Sequence, residues 1–142
     1  MDKMFYRCSS LISIDISSFN TKKVKIMDKM FYRCSSLISL NLSHFNTQSI
    51  SSMKSMFNGC SSLTSIDLSN AIIGTKNKFN SLFYGCSNLT YIDISSFSFS
   101  STFNLFDSNI PSEGTIKVKN ETIETAIKNQ IPNWKFLYKS IS

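Results

Sequence analysis

The sequence predicts an α/β solenoid, a strand-and-helix unit returning about five times along 142 residues. Three observations carry this. The string Met or Leu, Phe, two variable residues, then Cys occurs at Met4-Phe5…Cys8, Met30-Phe31…Cys34, Met56-Phe57…Cys60 and Leu82-Phe83…Cys86, each 26 residues after the last. Residues 1–21 and 27–47 differ only at Ile14/Leu40, Asp15/Asn41, Ile16/Leu42 and Ser18/His44. Within each unit the hydrophobic spacing switches from two residues to three and four. A period between 20 and 50 residues marks one supersecondary unit stacked on copies of itself, because no single copy can bury its own apolar face.

The strand comes first in each unit. Leu11-x-x-Ile14-x-Ile16 ends in strict alternation, which places one face inward. Leu37-x-x-Leu40-x-Leu42, Leu63-x-x-Ile66-x-Leu68 and Leu89-x-x-Ile92-x-Ile94 repeat it. Phe19-Asn20-Thr21 or Phe45-Asn46-Thr47 follows. Next, Val24, Met27, Met30-Phe31 and Cys34, and likewise Ile50, Met53, Met56-Phe57 and Cys60, form a stripe that predicts a helix with Thr21 or Thr47 as N-cap. Gly59 and Gly85 stand where a chain leaving a helix needs positive φ. Arg7 and Arg33 hold that place in the first two units, where a slightly different turn is expected.

The third unit breaks the pattern, with Ala71 for Phe19 and Phe45 and Lys76 for Val24 and Ile50. Ile72 or Ile73 is expected to refill the space, with Gly74 allowing a bend, and Thr102 in place of Val24 weakens the fourth helix. After Asp107 the next Met-Phe and Cys are missing, since Ser108-Asn109 and Ser112 stand there. The expected organisation is therefore about four 26-residue repeats over 1–107, the first truncated at its start, and a capping unit over 108–142. Thr115 to Lys119 alternates as a last strand, Asn120 caps a helix through Ile123, Ala126, Ile127 and Ile131, and Pro132 closes it. Trp134, Phe136 and Leu137 supply bulk for the end.

Composition is that of a folded chain, 42% hydrophobic and 17% charged. The net charge of +6 is concentrated early, on Lys22, Lys23, Lys25, Lys29 and Arg33. Such a patch attracts anionic partners in principle, and its ordinary role is to keep a solvated face soluble. No run of 18 apolar residues spans a membrane, and no signal peptide opens the chain. Met1-Asp2-Lys3-Met4 repeats as Met27-Asp28-Lys29-Met30, so the chain is read as beginning inside a repeat of a longer array.

The chemistry points away from catalysis. His44 is the only histidine, and neither a P-loop nor a dinucleotide-binding glycine pattern occurs, so no catalytic residue, metal site or cofactor is assigned. Cys8, Cys34, Cys60 and Cys86 fall in one structural column. Ligands in a column cannot surround zinc, and disulfides between coils need a narrow geometry, so buried free thiols are expected. Outward strand positions form a polar stripe of Ser13, Asp15, Ser39, Asn41, Ser65, Asp67, Tyr91 and Asp93, an extended face of the kind repeat proteins offer to partners. Its oxygens suit calcium, but no ligand loop accompanies them.

The combination M-F-x-x-C-x-x-L-x-x-I-D-I-S-x-F-N-T at a 26-residue period resembles the BspA-like leucine-rich-repeat surface proteins, in the variant also found in mycoplasma lipoproteins. The likeness covers about residues 1–107. It implies a right-handed solenoid with short parallel strands on one face and helices on the other, secreted or displayed on a cell surface for adhesion. The implied partner is a protein or glycan on host or neighbouring cells, with nucleic acid not expected. A structural spacer in a long surface protein and an intracellular repeat scaffold are the alternatives. Phe19, Phe45 and Phe97 stand where common leucine-rich repeats carry an asparagine ladder.

Overall fold

A computed structural model describes residues 1–71, 78–98 and 104–139. The expectations for Ile72, Ile73, Gly74, Lys76 and Thr102 lie outside these residues. The protein is α/β, with one small parallel sheet and little helix. Its strands are β1 (Ser65–Asp67), β2 (Tyr91–Asp93), β3 (Thr115–Val118) and β4 (Lys135–Tyr138), in the order β1-β2-β3-β4. A single α-helix among the described residues, α1 (Glu121–Ile127), followed by a 3-10 turn (Lys128–Gln130), connects β3 to β4. No helix among them is long and apolar enough to cross a membrane.

The predicted helical stripes are buried, but they are not helices. Met27, Met30, Phe31 and Cys34 are all wholly shielded from solvent. Their backbone divides its hydrogen bonds instead. The amides of Lys29, Phe31 and Arg33 cross to the carbonyls of Lys54, Met56 and Asn58 one unit on, while those of Met30, Tyr32, Cys34 and Leu37 turn back three residues. Two left-handed residues per unit enforce this: Lys29 (φ 55) and Arg33 (φ 56), then Ser55 (φ 53) and Gly59 (φ 78). A helix cannot pass through such positions. Runs of three-residue turns imitate the apolar spacing of a helix, which is why the sequence pattern misleads.

Arg7 (φ 60) and Arg33 adopt the same left-handed conformation as Gly59 and Gly85 (φ 71), so the turn is the same in all four units. At Gly59 a Cβ would lie 2.9 Å from Cγ of Arg33, so a side chain there would have to displace the arginine. Nor do the threonines cap helices. Thr21, 2% exposed, donates through Oγ1 to the Asn46 carbonyl and accepts from the Asn46 amide at 2.7 Å, tying the first unit to the second.

Among the described residues regular strand pairing begins at Ser65. Ile66 registers with Ile92, Ile92 with Ile116, and Ile116 with Phe136. The stretches 11–16 and 37–42, expected as strands, fall outside the ladder and are linked by single bonds such as Ile38 amide to Ile12 carbonyl at 3.1 Å. Isolated parallel bridges join Ile26, Ser52 and Lys78 instead.

Aromatic rings run through the core as a column. Centroid separations are 5.2 Å for Phe5–Phe31, 6.0 Å for Phe31–Phe57, 6.0 Å for Phe57–Phe83 and 5.5 Å for Phe83–Phe106. Phe106 therefore takes the place the 26-residue period assigns to residue 109, through a three-residue shortening before it. The missing Met-Phe pair is Leu105-Phe106.

After the last ring of the column, side chains take over the backbone's hydrogen bonds. Gln130 Oε1 accepts from the amides of Leu105 and Phe106, and Asp107 Oδ1 accepts from that of Gly85, so edge donors find acceptors without another unit. Asn120 caps α1 through the Ile123 amide as the sequence predicts. Trp134 is 4% exposed against Phe106, whereas Leu137 is 37% exposed and covers little. At the opposite end, among the described residues, the carbonyls of Asp2, Met4 and Tyr6 lack the donors that their counterparts Asp28, Met30 and Tyr32 receive from the first unit.

Candidate functional site

The expected stripe is on the surface, with one exception. Ser13, Asp15, Ser39, Asn41, Ser65, Asp67 and Tyr91 are exposed, and Ser65 registers beside Tyr91 as Asp67 does beside Asp93. Asp93 is instead buried, 4% exposed, with its carboxylate 3.5 Å from Lys117 on the next strand. The four acid or amide positions also share an internal task. Asp15, Asn41, Asp67 and Asp93 each accept, through Oδ1, the amide two residues on, at Ser17, Ser43, Ser69 and Ser95. These Asx turns lead the chain out of the stripe, and the Ser17 amide holds the Asp15 carboxyl below the ordinary carboxylate range. The row is consequently less a bare carboxylate ladder than a rim of engaged side chains.

What the sequence reasoning missed lies beside it. Ile12 and Ile38 are 60% and 50% exposed, in line with Thr64 and Thr90, so the stripe has an apolar flank at its N-terminal end. Aligning the units at the 26-residue period exposes this flank as a solvent-facing Ile-Ile-Thr-Thr row. His44 is exposed, with Nδ1 3.2 Å from the Ser43 hydroxyl.

The cysteines form a ladder in which each buried thiol serves its neighbour. Sγ of Cys34, Cys60 and Cys86 donates at 3.1 Å to the carbonyls of Phe5, Phe31 and Phe57 respectively, one unit back. All four are free thiols, and Cys8, in the first unit, is exposed. Among the described residues no group of three or more His, Cys, Asp or Glu could hold a metal ion. Burial pushes the Cys34 thiol up to about 11, helped by Cys8 beside it, and the Cys86 thiol up to about 12, while Cys60 moves the same way.

A thiol ionises near pH 8.5 when unfolded. Because the folded values are higher, the stability these groups contribute is complete below that pH and declines as pH rises toward 11 and 12. Urea midpoints measured from pH 7 to 11 should therefore fall on the alkaline side, and less so in a Cys34→Ala/Cys86→Ala variant. At pH 8 a colorimetric disulfide reagent should label Cys8 within seconds to minutes and the other three only on unfolding. Rapid labelling of a second thiol in the native protein would contradict the ladder.

Fold and surface together define a class: an α/β protein of 26-residue units joined by inter-unit hydrogen bonds, with a polar stripe that runs from its irregular N-terminal units onto its parallel sheet. Residues 1–121 match the family described as "Mycoplasma protein of unknown function, DUF285", and the chain belongs to that family. No curated protein and no solved structure matches it.

Proposed function

We propose that this chain is a non-catalytic binding module of a secreted or cell-surface protein, a leucine-rich-repeat solenoid of the BspA-like kind that holds its strand face toward a protein or glycan ligand. The observation that carries the reading is the register of that face. Ser65, Tyr91, Thr115 and Lys135 are aligned across four strands, and Ile12, Ile38, Thr64 and Thr90 form an exposed row beside them. A rigid ribbon of short polar groups with an apolar margin loses little side-chain entropy when a partner covers it. Neither cofactor nor metal has a part in this reading.

Purified protein should be retained by immobilised extracellular-matrix proteins or by cells, and an Ile38→Lys/Ser65→Arg/Tyr91→Ala variant should lose at least tenfold in affinity with its melting temperature unchanged. Undiminished binding by that variant removes the strand face from the proposal. The engagement of Asp15, Asn41 and Asp67 in internal turns favours a second reading, a structural spacer, for which neither protein would bind above a control.

A further inference from the structure

A second surface has a composition that the packing does not explain. Each unit carries two left-handed turn positions, at residues 3, 29, 55 and 81 and at residues 7, 33, 59 and 85. In the first two units they are Lys3, Arg7, Lys29 and Arg33, and in the last two they are Ser55, Gly59, Ser81 and Gly85. Glycine meets the second position with least strain, and the last two units use it. The first two hold arginine there at a conformational cost, and such a departure is where function is sought.

The arrangement of these cations is specific. Tyr6 and Tyr32 stack with centroids 5.0 Å apart and planes within 8°. The Arg7 guanidinium lies 5.4 Å above Tyr6, and Arg33 and Lys29 lie 5.5 and 5.7 Å from the Tyr32 ring. The ion pairs among the described residues are Lys117–Asp93 and Lys128–Glu124, so none of the four cations is neutralised by a neighbouring carboxylate. Arg7 and Arg33 wall an open groove of ≈ 540 Å³, which continues past Ser9, Ser35 and Ser61 over Gly59 and Gly85.

We infer that this groove binds a sulfated polysaccharide, with a sulfate group held between the Arg7 and Arg33 guanidiniums and neutral sugar lying along the Ser and Gly floor. Guanidinium forks engage oxyanions in a bidentate way, and two of them one unit apart, about 5 Å by strand spacing, reach opposite sides of one sulfate. Hydroxyl-lined and glycine-floored surface suits the sugar hydroxyls that follow. A single-stranded nucleic acid fits less well, because the Tyr6 and Tyr32 rings already stack on each other and hold the cations, an arrangement a stacking base would have to displace. A flat anionic bilayer cannot follow a groove. The site is distinct from the strand face, so its failure leaves that reading intact, and the strand-face variant serves as the control here.

The test uses the full chain and a heparin oligosaccharide, with the chemically desulfated oligosaccharide, oligo(dT) and phosphatidylserine vesicles as competing probes. Heparin binding should exceed the other three and weaken as salt rises. Arg7→Gly/Arg33→Gly, which restores the residues used in the last two units, should lose at least tenfold in affinity with an equal or higher melting temperature. Arg7→Gln/Arg33→Gln keeps the turn's demand and should lose affinity as much. Equal binding of desulfated oligosaccharide, undiminished binding by either double variant, or preference for oligo(dT) or vesicles would overturn the assignment.

Discussion

Replacing Phe57 with alanine is expected to cost about 3–5 kcal/mol, the range for truncating a fully buried aromatic ring. Against a typical total of roughly 5–15 kcal/mol, that is enough to leave the chain marginal. The effect is large because Phe57 is the middle of the ring column: it is wholly buried, 6.0 Å from Phe31 on one side and 6.0 Å from Phe83 on the other. Its backbone couples the units as well, through its amide to the Leu82 carbonyl and its carbonyl to the Cys86 thiol. In a repeat protein, stability is a sum of units and the interfaces between them. A cavity at Phe57 weakens two interfaces together, so the two halves should part company in denaturant. The single tryptophan, Trp134, reports the C-terminal half, and circular dichroism reports the whole. Coincident urea transitions in the parent should become displaced in Phe57→Ala. Phe5→Ala is the comparison, since Phe5 is only half-buried and stacks on Phe31 from one side. If Phe5→Ala proved as costly, the column would not be the spine of the protein.

The period and the burial were legible in the residues, and the backbone conformation was not. Phe5, Phe31, Phe57 and Phe83 became one stack of rings, with each buried thiol bonded to a phenylalanine carbonyl of the unit before it, because identical side chains at one spacing meet when units stack. Asn120 and the alternation at Thr115 to Val118 announced α1 and β3 through local hydrogen-bonding and periodicity rules that need no tertiary knowledge. The stripes from Met27 to Cys34 and from Met53 to Cys60 were misread as helices for a physical reason. Periodicity records which residues are buried, whereas helix or turn depends on where the amides go, and here alternate amides go to the next unit. Lys29, Ser55 and Ser81 carry no sequence mark of positive φ, unlike Gly59 and Gly85. The stripe along the strands was legible as a face, but Asp93 was not legible as buried, because its partner Lys117 belongs to the cap and lies off the 26-residue repeat.

Trp134→Ala is the second large loss expected, again about 3–5 kcal/mol, and it acts from the end of the array inward. Trp134 lies 6.1 Å from Phe106, the last ring of the column, and donates through Nε1 to the Pro111 carbonyl at 2.9 Å. Gly114 lies so near the indole that a Cβ there would be 2.8 Å from the ring and 2.9 Å from the Thr90 carbonyl. Indole and backbone are thus fitted to each other, and Gly114→Ala should be destabilising in the same direction. Removing the ring exposes Phe106 and Leu105, and with them the edge that Gln130 closes. The loss should be local first. Hydrogen-exchange protection should fall at the Thr115 amide, bonded to the Thr90 carbonyl, and at the Ile94 amide, bonded to the Lys117 carbonyl, before it falls at Lys29, Phe31 and Arg33. Trp134→Phe separates the two contributions, because it keeps most of the apolar contact and leaves the Pro111 carbonyl without its donor, for a smaller cost of about 1–3 kcal/mol. Uniform loss of protection along the whole chain in Trp134→Ala would mean that the protein unfolds as one cooperative block, and that its end does not melt ahead of its middle.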